Sequence, residues 1–301
     1  MSNGIRDIRR RIRSVRSTSQ ITRAMQMVAA SKMRKAQQAA LVGRPMADEI
    51  FELLTQAVQH AGGFHHPLSE IRPVHTRAVI VVGTDRGLCG GLNSNLLREA
   101  LKFDPDSTVY IAVGRKPAQL LARVRRRVIA EFSYHDMPKY VDARVVSRFA
   151  QELFLNGGVD AVEVLFTDFH STLVQQASLM HFLPVGELRR PTIGIHGSRI
   201  QKTLEDPVVK LCDNCEFLFE PDVEQVLNQL LPQSLNLELF QVMMEARASE
   251  HSARMVAMKN ATDNASNLIQ TLTLEYNKMR QASITNELLE ISSAVMAASG
   301  A

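Results

Sequence analysis

Met255-Val-Ala-Met-Lys-Asn-Ala-Thr-Asp-Asn-Ala-Ser-Asn-Leu-Ile-Gln-Thr-Leu-Thr-Leu-Glu-Tyr-Asn-Lys-Met279 is the stretch whose reading decides the fold. Met255, Met258, Thr262, Ala265, Ile269, Leu272, Tyr276 and Met279 recur at steps of three and four. That is the a/d seam of a coiled coil, with Thr262 and Ala265 in place of large aliphatics. The stretch belongs to a longer one, Gln233 to Ser299, without proline or glycine, the residues that most reliably interrupt a helix. At roughly 1.5 Å per residue such a helix is about 100 Å long, too long to bury its stripe inside one globule. It needs a second long helix, and the other end of the chain supplies one.

That first helix is expected from about Ile5 to Val42. Ile5, Ile8, Ile12 and Val15 keep the three-four rhythm, and the seam turns small or polar through Ser19 and Thr22. Ile21, Met25 and Val28 then carry a stripe that drifts round the helix. Gly43-Arg44-Pro45 is expected to kink or break it before a second amphipathic piece through Ile50, Leu53, Leu54 and Val58. With the matching ends level, Met25 falls near Arg254 and Ile5 near Leu274, so everything after roughly Tyr276 projects as a lone helix.

Between the arms the texture changes. Ala78-Val-Ile-Val-Val82 is a continuous β-branched run, of the kind buried on both faces of a parallel sheet. Strands near Thr108–Val113, Val128–Phe132 and Ala161–Thr167 alternate with helices near Leu92–Phe103, Lys116–Arg125 and Val141–Leu155. Leu173–Leu183 reads as a strand, or a strand running into a turn. The alternation specifies a doubly wound, Rossmann-like α/β domain inserted between two helical arms. The expected organisation is an N-terminal helical arm over 1–60 and the α/β domain over 77–185. A proline-punctuated connector over 186–232 leads to the C-terminal helix over 233–301.

Composition restricts the function classes. The 45% apolar content suits a well-cored protein, and no apolar run approaches the roughly 20 residues of a membrane span. Met1 leads into an Arg-rich segment with no signal-peptide core. Three cysteines make no disulfide framework and suggest a reducing compartment. The net charge of +4 hides an asymmetry, because Met1–Arg44 holds nine Arg and two Lys against Asp7 alone. A basic helix of this kind faces nucleic acid, an anionic membrane or an acidic protein surface.

Gly83-Thr-Asp-Arg-Gly-Leu-Cys-Gly-Gly91 follows the first strand, where a nucleotide-binding fold cradles phosphates. No Lys-Ser or Lys-Thr closes it, and Gly87, Gly90 and Gly91 do not give G-x-G-x-x-G, so it reads as a tight turn. Cys212-Asp-Asn-Cys215 has the spacing of a redox pair or half a zinc site, but no second pair completes it. The histidines lack ligand spacing, and no G-x-S-x-G elbow is present. The sequence offers no catalytic constellation, no cofactor site and no metal site.

Three motifs carry a resemblance over essentially the whole chain. They are Ile12-Arg-Ser-Val15 followed by Gln20-Ile-Thr-Arg-Ala-Met-Gln-Met-Val-Ala-Ala-Ser-Lys-Met-Arg34, then Thr84-Asp-Arg-Gly-Leu-Cys-Gly-Gly-Leu-Asn93, and Ser249-Glu-His-Ser-Ala-Arg-Met-Val-Ala-Met-Lys-Asn-Ala-Thr-Asp-Asn264 with Tyr276-Asn-Lys-Met-Arg-Gln-Ala-Ser-Ile-Thr-Asn-Glu287. In them the chain resembles the gamma subunits of F-type ATP synthases, the central rotor shaft. The resemblance implies an antiparallel coiled coil inside a ring of alpha and beta subunits, with the α/β domain outside it near the ring of membrane-embedded c subunits. It implies a non-catalytic chain that transmits torque between proton flow and ATP synthesis. The implied partners are alpha, beta, epsilon and the c ring, with delta only within the same complex, and no nucleic acid. The implied location is peripheral, on the cytoplasmic face of a bacterial inner membrane, with no insertion into it.

Residue by residue, Met25 matches the shaft position facing an acidic loop of the catalytic subunit. Arg254, Arg280, Gln281, Thr285 and Glu290 match positions where the last helix meets the first or the head. Phe217-Leu-Phe-Glu220 resembles the segment seating the foot on the c ring, with Phe217 and Phe219 where tyrosines are common. Arg9, Arg10 and Arg11 make the first helix richer in arginine than usual, and the C-terminus lacks the family's glycine-rich ending. An autonomous enzyme using the α/β domain, or a basic coiled coil that binds nucleic acid, leaves three motifs in matching order unexplained.

Overall fold

The computed structural model describes residues 2–60, 66–134, 136–185, 220 and 222–299. They form two compact units, Met1–Val28 with Met255–Ala301 and Ala29–Arg254. The elements are α1 (Ser2–His60), β1 (Arg77–Val82), α2 (Leu92–Ala100), β2 (Thr108–Val113), α3 (Arg115–Arg123), β3 (Val128–Phe132), α4 (Tyr140–Leu155), β4 (Ala161–Phe169), β5 (Gln175–Leu183) and α5 (Val223–Ser299).

Helix α1 runs unbroken through Pro45 and α5 through Pro232, where the sequence predicts a kink or break and a connector. A mid-helix proline costs about 3 kcal/mol through its lost donor and its clash with the preceding turn. Burial of Ala40, Leu54 and Ala57 on α1, and of Leu227, Leu231 and Leu235 on α5, offsets that cost. The terminal helix therefore starts ten residues before Gln233, at Val223.

In the first unit, α1 and α5 pair antiparallel. The hydroxyls of Thr22 and Thr262 lie 2.7 Å apart, with the carbonyls of Ser19 and Met258 as further acceptors at 3.0 and 2.8 Å. A side chain at Gly4 would come within 2.9 Å of the Met279 methyl. Both contacts hold one register, which aligns Ile5 with Met279, Ile12 with Leu272 and Val15 with Ile269. Met25 comes level with Lys259 rather than Arg254, a slip of about one and a half turns from the expected pairing. Small faces small at Ser19, Thr22, Thr262 and Ala265, and large faces large elsewhere; this volume matching sets the register.

The seam of α1 does not drift either. The sheltered positions continue as Ser19, Thr22, Met25, Gln26 and Ala29, while Ile21 and Val28 are 57% and 55% exposed.

In the second unit, the sheet order is β3-β2-β1-β4-β5, parallel except for β5. Val79, Val81, Tyr110 and Leu165 face α2 and α3, whereas Ala78, Ile80, Val82, Ile111 and Val164 face α4 and α5. Coverage on both faces explains why β1 and β2 read as unbroken apolar runs. β2 and β3 are laid down on one side of β1 and β4 and β5 on the other, which places the switch point of the topology between β1 and β4.

Candidate functional site

A doubly wound sheet offers its ligand crevice at the carboxyl ends of the strands flanking the switch point. Here the chain's own helix α5 occupies that place. From Val242 to Ser252 every residue of α5 is buried, including Glu245, Arg247, Ser249, Glu250, His251 and Ser252. Buried polar groups need partners; three connectors at the carboxyl edge of the sheet supply them to Arg247, Ser252 and Arg254, whereas among the described residues Ser249 Oγ and His251 Nε2 are buried with no hydrogen-bond partner.

The connector after β1 is the glycine turn. Arg254 donates to the carbonyls of Arg86 and Gly87 at 3.3 Å each and to Glu250 at 2.6 Å. A phosphate cradle requires converging N–H donors; this turn presents carbonyl oxygens, and they hold a cation. Its side chains are engaged in holding the neighbouring helices. The Asp85 carboxylate accepts from the Arg115 N–H at 3.0 Å, at the start of α3. Asn93 donates to Thr84 at 2.9 Å and to the Cys89 sulfur at 3.4 Å. Gly114, at φ 105, closes against the turn so tightly that a Cβ would lie 2.9 Å from the Gly83 carbonyl.

The connector after β4 supplies the Thr172 carbonyl, which accepts from Ser252 at 2.9 Å. The connector after β3 supplies Asp136. Its backbone carbonyl accepts from Arg247 Nε at 2.5 Å, and its carboxylate accepts from Lys32 of α1 at 2.5 and 2.6 Å. The hydrogen bond from Lys32 holds the Asp136 carboxyl below the usual range. Arg247 also pairs with Glu250 and lies 5.6 Å over the Tyr134 ring, whose hydroxyl burial pushes above its ordinary range. Glu250 thus joins Arg247 and Arg254 on one helix face, at the three- and four-residue spacings that bring side chains together.

His251 completes the cluster. Burial, reinforced by Arg247 and Arg254, lowers its pKa to about 3, so the imidazole is neutral. Its Nδ1 faces the Arg254 guanidinium at 3.3 Å and accepts, which leaves the proton on Nε2. The arrangement contains no nucleophile–base pair. It is a clasp, and what it can do is hold a helix.

A family model described as ATP synthase matches residues 4–298. The ATP synthase gamma chain of Opitutus terrae is 45% identical over 97% of this chain and 98% of its own length. The chain belongs to the ATP synthase gamma-chain family. The gamma chain of Methylacidiphilum infernorum is similar at 42% identity, covering 96% of this chain and 97% of its own. A chain of the Euglena gracilis mitochondrial ATP synthase shares the fold at a TM-score of 0.67 and 18% identity, covering 99% of this chain and 95% of that one.

Against this family background, the residues singled out in the sequence fall in different places. Arg254 is turned inward onto the glycine turn. Met25 is half-buried, whereas Arg280, Gln281, Thr285 and Glu290 are exposed along α5, with the Thr285 hydroxyl donating to the Gln281 carbonyl at 3.0 Å. Glu220 is exposed; Phe217, Phe219, Cys212 and Cys215 lie outside the described residues. Sequence reasoning missed Arg247, Glu250, Asp136 and Lys32. The signal for the first two was present in the polar run Arg247–Arg254, where a buried seam predicts apolar residues.

Proposed function

We propose that this gamma-family chain is the central shaft of an F-type ATP synthase, carrying torque between proton flow in the membrane sector and the nucleotide sites of the head. It performs no catalysis itself. One observation carries the mechanical part. Helix α5 is a single element of 77 residues, clasped at Arg247–Arg254 by three connectors of the α/β domain. A helix gripped by several buried, charge-assisted bonds turns with the domain that grips it.

The partners in this reading are the alpha and beta subunits, epsilon and the c ring, with delta only in the same complex. Met25, Arg280, Gln281, Thr285 and Glu290 meet the head. Phe217, Phe219 and Glu220 seat the foot. The location is peripheral, on the cytoplasmic face of a bacterial inner membrane. Among the described residues no helix is long and apolar enough to cross a membrane, and the ATP synthase chains named above support a place in that complex.

Coexpression with cognate alpha, beta, epsilon and c subunits tests both levels. The chain is expected to copurify as one copy per head. Replacing Phe217, Phe219 and Glu220 together by Ala is expected to release heads from membranes at low salt while the head keeps the chain. A chain that never enters the head sinks the shaft reading; unchanged membrane retention removes only the foot residues.

A further inference from the structure

We infer that the amino edge of the sheet carries a docking surface for anionic phospholipid headgroups, centred on Arg123, Arg125 and Arg127. Helix α3 ends at Arg123, and the chain turns through Val124–Arg127 into β3. The turn is rigid. Val124, Arg125 and Arg126 donate their N–H groups to Leu120, Ala122 and Leu121 at 3.0–3.2 Å, and the Arg127 carbonyl accepts from the Tyr110 N–H at 2.8 Å. Arg126 reaches the Leu101 carbonyl at 3.2 Å and so brings the end of α2 alongside.

The charges on this turn are uncompensated. Arg123, Arg125 and Arg127 are exposed, and among the described residues no carboxylate pairs with any of them. Nearby cations are neutralised: Lys102 pairs with Glu99 at 2.6 Å and Arg77 with Glu163 at 3.0 Å. Both acids of the adjacent α2–β2 connector are exposed, but the Asp104 carboxylate is held in its own turn by Ser107 and the Asp106 N–H. Arg125 stands at φ 57, a left-handed position that follows a helix end and that glycine adopts without strain. An arginine held there at a cost in backbone energy points to a use for its side chain.

Leu101 and Val124, 40% and 38% exposed, lie among these cations. Guanidinium groups interleaved with short aliphatics suit a headgroup layer, where charge meets phosphate and the aliphatics enter the boundary. Among the described residues of the Val124–Arg127 turn and the end of α2 there is no exposed aromatic side chain to stack on bases, which disfavours single-stranded nucleic acid. The patch also lies at the strand ends opposite the Arg247–Arg254 clasp. The choice of a membrane as the polyanion rests on the shaft reading, which places the α/β domain beside one.

The test uses the assembled head complex, in which that reading encloses the basic α1. It is floated with phosphatidylcholine vesicles with or without phosphatidylglycerol. Retention on the anionic vesicles is expected to fall about thirtyfold in the triple variant Arg123→Gln, Arg125→Gln, Arg127→Gln, and to change little in Arg9→Gln, Arg10→Gln, Arg11→Gln. Arg125→Gly removes one charge while relieving the backbone, so it is expected to melt higher than the parent yet bind about threefold more weakly. Equal retention of parent and triple variant overturns the proposal. So does equal binding to both vesicle types. Failure of the parent chain to enter the head is a separate result and counts against the shaft reading.

Discussion

Glu250 shows how much of the clasp rests on one carboxylate. It is buried between Arg247 and Arg254, whose side chains are 7% and 11% exposed, so Arg254 loses its counter-ion if Glu250 is removed and Arg247 keeps only the more exposed Asp136 carboxylate at 3.5 Å. Breaking a buried pair from one side costs about 3–5 kcal/mol, because the remaining charge is stranded away from water. Glu250→Ala is therefore expected to destabilise the isolated chain by about that amount in urea unfolding. Replacing Arg247, Glu250 and Arg254 together by Met, Leu and Met should cost less than the single change, since no charge is then stranded. A loss below about 1 kcal/mol for Glu250→Ala would show that the cluster is solvated. Arg254 carries the same lesson for legibility: its motif is visible in the sequence, but not the direction in which it points. A helix alone presents it outward, and only the carbonyls of Arg86 and Gly87 turn it inward.

At the scale of the element, the end of α5 is the clearest case. In the observed register Ser2 lies level with residue 281 or 282, so the helix continues alone from Ser283 to Ser299, about 25 Å at 1.5 Å per residue. Ile284, Leu288, Leu289, Ile291 and Val295 are 46–62% exposed along it. A lone helix of this length gains little from its own hydrogen bonds, and its apolar side chains call for a surrounding surface from other subunits. In hydrogen exchange, Ile284–Val295 of the free chain is expected to exchange quickly, and to become protected once the head assembles. Strong protection in the free chain would contradict the lone-helix account. The heptad pattern announced both helices and the existence of an unpaired end. The register, and so where that end begins, depended on which small residues face each other at Ser19, Thr22, Thr262 and Ala265.

For the whole molecule, the filled crevice makes a direct prediction. With α5 between the connectors after β1 and β4, and with carbonyls rather than N–H groups aimed at Arg254, the purified chain is expected to bind no Mg-ATP in calorimetric titration. Micromolar, stoichiometric binding would overturn this assignment of the switch-point crevice. The sequence by itself determined the fold class, because its periodicities are local: runs buried on both faces in β1 and β2, and a three-four seam at each end. It also determined the family, because three long motifs keep their order along the chain. The tertiary structure alone decided that Pro45 and Pro232 stand inside continuous helices, since burial of the flanking turns outweighs a missing hydrogen bond. It alone decided the seam register, which rests on side-chain volumes matched across some 240 residues of chain. And it alone assembled the clasp: Lys32, Asp136, Arg247 and Glu250 are far apart in sequence except for the last two, and no local pattern records that a loop after β3 meets both helices at once.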